Sequence, residues 1–124
     1  MSAVGSVTYS EEVFGTVKKI GMSWTCDASG AVSGTLTASV YSGELRRLVT
    51  VPAAAGSAPT DNYDVTVLDE DGTDVLMGAG ADRDTANTEQ VLASSLGIVA
   101  NDKLELRVAN AGNAKSGTVY LYIR

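Results

Sequence analysis

Apolar and polar residues alternate in short runs along this chain, and Gly, Asp or Asn cuts each run after about ten residues. The runs are Val17–Cys26, Val32–Val40, Glu44–Val51, Tyr63–Leu68, Lys103–Asn110 and Thr118–Arg124. A period of two puts alternate side chains on opposite faces of a strand, whereas a helix repeats its apolar residues at three and four. No stretch carries a long helical period. The pattern therefore predicts an all-β protein, an antiparallel β-sandwich, jelly-roll-like, of about seven or eight strands. One domain spanning 1–124 accounts for the length, and it buries roughly two-thirds of the surface its unfolded chain exposes.

Residues 1–12 read either as a flexible N-terminal arm that orders on a partner or as a first strand at Val4–Tyr9. In Val17–Cys26, the residues Ile20, Met22, Trp24 and Cys26 alternate with Lys19, Gly21, Ser23 and Thr25, which predicts that the first set faces the core. Asp27-Ala28-Ser29-Gly30 has turn chemistry. Val32, Gly34, Leu36, Ala38 and Val40 then share a face, so 17–40 is expected to form a β-hairpin. In the next run Leu45 and Val49 oppose Arg46 and Arg47. The stretch 52–59, bracketed by Pro52 and Pro59, reads as an exposed loop. Tyr63–Leu68 is a strand closed by Asp69-Glu70-Asp71-Gly72, and Val75-Leu76-Met77 restarts one. Thr88–Ser95 fits a short helix or a strand, and the number of strands that closes a sandwich favours the strand. Finally, Leu104, Leu106 and Val108 alternate with Lys103, Glu105 and Arg107, while Val119, Leu121 and Ile123 oppose Tyr120 and Tyr122.

Charge and redox chemistry narrow the function classes. The net charge of −6 repels phosphates and anionic lipid headgroups, so neither nucleic acid nor membrane is an expected partner. Cys26 is the only cysteine. It allows no internal disulfide, which suits assembly in a cytosol. The first residues lack a signal-peptide pattern, and no apolar run approaches the roughly 20 residues that span a bilayer.

The chain has no histidine, which removes the commonest general base and metal ligand. Cys26, inward by alternation, reads as a small buried hydrophobe rather than a nucleophile. Gly78-Ala79-Gly80-Ala81 lacks the helix and glycine spacing of a dinucleotide loop. The stretch Asp69-Glu70-Asp71-Gly72-Thr73-Asp74 reads as a turn on Asp71-Gly72 or as a cation site, but the ligand spacing of an EF-hand is missing. Asp82-Arg83-Asp84 suits an ion pair better than a carboxylate dyad. The expectation is a protein that is not an enzyme and carries no cofactor or metal. Trp24 belongs to the core. Tyr120 and Tyr122, opposite the aliphatic face of the last strand, fit an interface and fit packing against a second sheet equally well. Arg46 and Arg47 form a basic pair that either docks an acidic partner or lies on a solvated strand face.

Several blocks carry a likeness: Tyr41-Ser42-Gly43-Glu44-Leu45, then Ala58-Pro59-Thr60-Asp61-Asn62-Tyr63-Asp64-Val65-Thr66-Val67, Asp69–Leu76, Ala86–Glu89 and Gly117–Ile123. Together they resemble small virion proteins of tailed bacteriophages. The resemblance implies an all-β structural protein of the virion, assembled in the host cytoplasm and without catalytic residues. The role it implies is capsid decoration (cement), binding between subunits of the major capsid protein as a homo-oligomer, a trimer being favoured. A head-to-tail, collar or tail-fibre component is the alternative, followed by a receptor- or carbohydrate-binding module.

Overall fold

A computed structural model describes residues 5–124. Among these residues nine strands form in chain order: β1 (Ser6–Phe14), β2 (Val17–Thr25), β3 (Val32–Leu36), β4 (Tyr41–Pro52), β5 (Asp64–Leu68), β6 (Glu89–Leu92), β7 (Ile98–Asp102), β8 (Glu105–Ala109) and β9 (Ser116–Ile123). They assemble into a six-stranded sheet of order β1-β2-β9-β4-β6, in which β7 also pairs with β4, and a three-stranded sheet of order β3-β8-β5. Every pairing between strands is antiparallel. This is the all-β, sandwich-like architecture that the alternation predicts, with about nine strands in place of seven or eight and a curled half-barrel within it.

The alternating runs explain the core. Ile20, Met22 and Trp24 of β2 and Val119, Leu121 and Ile123 of β9 are buried. They point at Val65 and Val67 of β5 and at Leu106 and Val108 of β8, and all join one apolar cluster. Cys26 joins the same cluster and is fully buried, as its place in the alternation requires. Trp24 packs its indole on Tyr63 with ring centroids 5.6 Å apart. It also lies over Gly117, where an added Cβ would meet Trp24 Cζ2 at 2.8 Å and the Val51 carbonyl oxygen at 3.0 Å. A side chain at 117 would therefore displace the indole or the neighbouring backbone.

Four local expectations need correction. Residues 17–40 are not a hairpin. The turn at Asp27–Gly30 does form, with Gly30 N–H donating to Asp27 O, but it carries the chain from the larger sheet into the smaller. As a result β2 pairs with β1 and β9, and β3 pairs with β8. Leu36 and Val40 are consequently 45% and 50% exposed rather than inward.

The segment from Ser6 onward is not an arm. It is hydrogen-bonded to β2 in unbroken register from Ser6↔Thr25 to Phe14↔Val17, while residues 1–4 lie outside the described part of the chain. Glu11 fastens this strand to the loop before β4: its carboxylate accepts from Ala38 N–H, Ser39 N–H and the Tyr41 hydroxyl at 2.7–3.0 Å. Val75-Leu76-Met77 is a turn rather than a strand, although Val75 and Leu76 still reach the core. Finally, a register shift between Leu45 and Arg47 changes the parity of β4. Such a bulge places one extra residue against the partner strand. Leu45 and Leu48 therefore face in, and Val49 moves to the opposite face, opposite Tyr120.

Candidate protein-interaction face

The outward face of the six-stranded sheet is built by β1, β2, β9, β4 and β6, and the pairing register orders its side chains in rows. One row runs Glu12, Lys19, Tyr122, Arg47 and Leu92, and the next runs Ser10, Gly21, Tyr120, Val49 and Gln90. Tyr120 and Tyr122 are thus brought together, half-buried, on the side of β9 away from the core. The bulge in β4 leaves both Arg46 and Arg47 exposed. All four residues singled out in the sequence fall on this one face.

Cations cover the tyrosine rings. Lys19 Nζ stands 4.8 Å from the Tyr120 centroid and 5.9 Å from that of Tyr122, and Arg47 Cζ is 5.3 Å from the Tyr122 centroid. Each such contact contributes about 0.5–1 kcal/mol where water has access. Arg47 Nε donates to Gln90 Oε1 at 2.9 Å, which fixes the plane of the guanidinium and leaves its outer N–H groups free to donate. Arg46 instead pairs with Glu44 at 3.2 Å. Val49 is 7% exposed beneath these side chains, separate from the interior cluster. Gly21 keeps the neighbouring position low, since a Cβ there would meet Tyr120 Cε1 at 3.4 Å. Around the tyrosines, Leu92 is 73% exposed, Ile98 69% and Phe14 58%.

Local sequence does not single out Lys19, Gln90, Leu92 or Ile98 as members of this face. For Lys19 a signal existed, because it alternates with Ile20 and so shares the outward side of its strand. For the other three, membership depends on β6 and β7 pairing with β4.

Toward the far end of the same face, the hydroxyl residues Ser6, Thr8, Ser23, Thr25, Ser116 and Thr118 line a shallow groove of about 360 Å³. The face therefore divides into a cationic, aromatic half and an uncharged, hydroxyl half.

The acidic segment folds as the turn reading requires. Gly72, at φ +81°, sits in a loop where Asp69 N–H donates to Thr73 O. Asp69 also accepts from Asp71 N–H, Thr73 N–H and the Thr73 hydroxyl. Those bonds, the Thr73 hydroxyl foremost, hold the Asp69 carboxyl below its ordinary range. Asp69, Asp71 and Asp102 bring carboxylate oxygens within 4.8 Å of one another, a donor set that could hold a divalent cation. Desolvation and the charges of Asp69, Asp71 and Glu70 push the Asp102 carboxyl up.

Asp82-Arg83-Asp84 separates into different tasks: Arg83 lies 3.6 Å from Glu89, and Asp84 accepts from Ala86 N–H and Asn87 Nδ2. The Asn87 side chain and the Ala86 amide lower the Asp84 carboxyl.

Compared with protein-family models, with curated proteins and with solved structures, the chain matches none.

Proposed function

We propose that this protein is a non-catalytic structural module that docks through the outward face of its larger sheet. In the specific form implied by the sequence resemblance, it is a capsid decoration protein of a tailed bacteriophage, placed between major capsid subunits and acting as a homo-oligomer, a trimer being favoured. One observation carries the reading: Tyr120, Tyr122, Arg47 and Lys19 lie together on a rigid, half-buried sheet surface with Leu92 beside them. Tyrosine and arginine are enriched in protein interfaces, where their long side chains offer large contact areas with polar tips. A platform of hydrogen-bonded strands also loses little conformational entropy on binding. Several weak contacts made at once by an oligomer become persistent through effective concentration.

The test is sedimentation with expanded empty heads and, separately, with purified tails, together with the native mass in solution. Decoration predicts a homo-oligomer that pellets with heads. Pelleting with tails alone moves the assignment to the collar or fibre alternative, and pelleting with neither rejects both. The groove at the far end of the same face, lined by hydroxyl residues with Trp24 at its floor, supports a second reading, a carbohydrate-binding module. Specific hits on a glycan array combined with no binding to heads or tails would favour it.

A further inference from the structure

Charge is distributed unevenly over this molecule. Four of the nine cations (Lys19, Arg46, Arg47 and, at the margin, Arg124) belong to the outward face of the six-stranded sheet, which holds only two of the fifteen acids, Glu12 and Glu44. The rest of the chain retains thirteen acids against five cations, including the crowded Asp69, Asp71 and Asp102. Among the described residues Lys19 and Arg47 form no ion pair, so their charge remains available to a partner.

Accepting the reading that this face docks, we infer that its partner is an acidic protein surface, and that the charge distribution sets the orientation of approach. Near an acidic partner, the acidic remainder of the molecule is repelled while the Lys19–Tyr122–Arg47 row is attracted. Only one side of the sandwich can then land. Long-range fields of this kind raise the productive encounter rate and suppress misaligned contacts.

Two features favour protein over other polyanions. The cations are few and are laid over tyrosine rings, with exposed Leu92, Ile98 and Phe14 beside them, which is the mixture of a protein interface. A duplex or an anionic bilayer instead rewards many unscreened cations.

The probe is immobilised poly-L-glutamate, read by biolayer interferometry in about 50 mM NaCl, where the Debye length of about 14 Å spans the three adjacent strands that carry Lys19, Tyr122 and Arg47. The wild-type chain is expected to bind. Arg47→Glu and Lys19→Glu, both with unchanged circular dichroism, are expected to weaken binding by about tenfold or more, as is about 500 mM NaCl. Double-stranded DNA and phosphatidylserine vesicles are run in parallel and are expected to bind less than the polyglutamate. Failure to bind polyglutamate, binding untouched by both substitutions, or tighter binding to DNA or vesicles overturns the inference.

Sedimentation with heads separates this failure from failure of docking itself. If Tyr122→Ala abolishes pelleting while Arg47→Glu and added salt do not, the face docks but its partner is not acidic. If none of these changes alters pelleting, the face is not the docking surface.

Discussion

Replacing Glu11 with Ala removes the link between β1 and the loop before β4, and the structure gives the size of the effect. The Tyr41 hydroxyl, on a residue 4% exposed, loses its carboxylate acceptor at 2.7 Å. Hydrogen bonds to a charged group contribute about 1.5–3 kcal/mol. The Ala38 and Ser39 amides are open to solvent, so water replaces the carboxylate there and a few tenths of a kcal/mol each is lost. The total is about 2 kcal/mol. At about 3–5 °C per kcal/mol for a domain of this size, Tm falls by about 6–10 °C.

Tyr41→Phe removes the same bond from the other side and costs about 1 kcal/mol. If the bond carries the effect, the two substitutions are not additive. In the Tyr41→Phe background, Glu11→Ala then costs only about 0.5 kcal/mol more, the share of the two amides, which is a coupling of about 1.5 kcal/mol. Urea unfolding of the four proteins in the cycle measures this directly. Additive single changes, or a Glu11→Ala protein within about 0.5 kcal/mol of wild type, would refute the argument.

Further outcomes follow from the same packing and electrostatics. Gly117→Ala places a Cβ 2.8 Å from Trp24 Cζ2 and is expected to destabilise by about 1–3 kcal/mol with an altered near-ultraviolet spectrum of the indole; an unchanged urea midpoint would contradict that packing. Glu11, Asp69 and Asp84 have carboxyl pKa values lowered in the fold: burial opposes the shift at Glu11, but hydrogen bonds from Tyr41 and the Ser39 and Ala38 amides outweigh it. A depressed folded value gives stability that is full above the unfolded pKa and is lost as pH falls through the folded one. Unfolding free energy is therefore expected to hold at neutral pH and fall below about pH 4, with a shallower fall in Glu11→Gln. Asp102 has the opposite sign: its raised pKa means that the ionised form is disfavoured in the fold, so Asp102→Asn is expected to raise Tm at pH 7 and to lose that advantage in acid. A lower Tm for Asp102→Asn would show that the carboxylate is held by a favourable partner.

Much of the fold can be read from the chain because burial leaves a period-two trace. In β2, β8 and β9 the apolar set was identified residue by residue, and with it the outward position of Tyr120 and Tyr122. That trace records which side of a strand is buried and not which strand supplies its hydrogen bonds. The turn at Asp27–Gly30 therefore looked like a hairpin, although it joins two sheets. The bulge in β4 did leave a mark: Arg46-Arg47 followed by Leu48-Val49 breaks the alternation, as a single inserted residue must. The Arg pair was visible as chemistry, but its place beside Tyr122 was not. Lys19 and Leu92 come from strands distant in sequence, joined to that row only by pairing register. A surface assembled across five strands has no local signature, whereas the turn at Asp71-Gly72 needs only its own residues.

The most direct measurement is hydroxyl-radical footprinting of the protein free and mixed with the phage particles that the docking account names, read at individual side chains. The docking account predicts that Tyr120, Tyr122, Leu92 and Ile98 lose reactivity on the particle, while Leu36 on the smaller sheet and Val40 in the loop before β4 keep theirs. Unchanged tyrosine reactivity on the particle, with protection at Leu36 or Val40 instead, would contradict it.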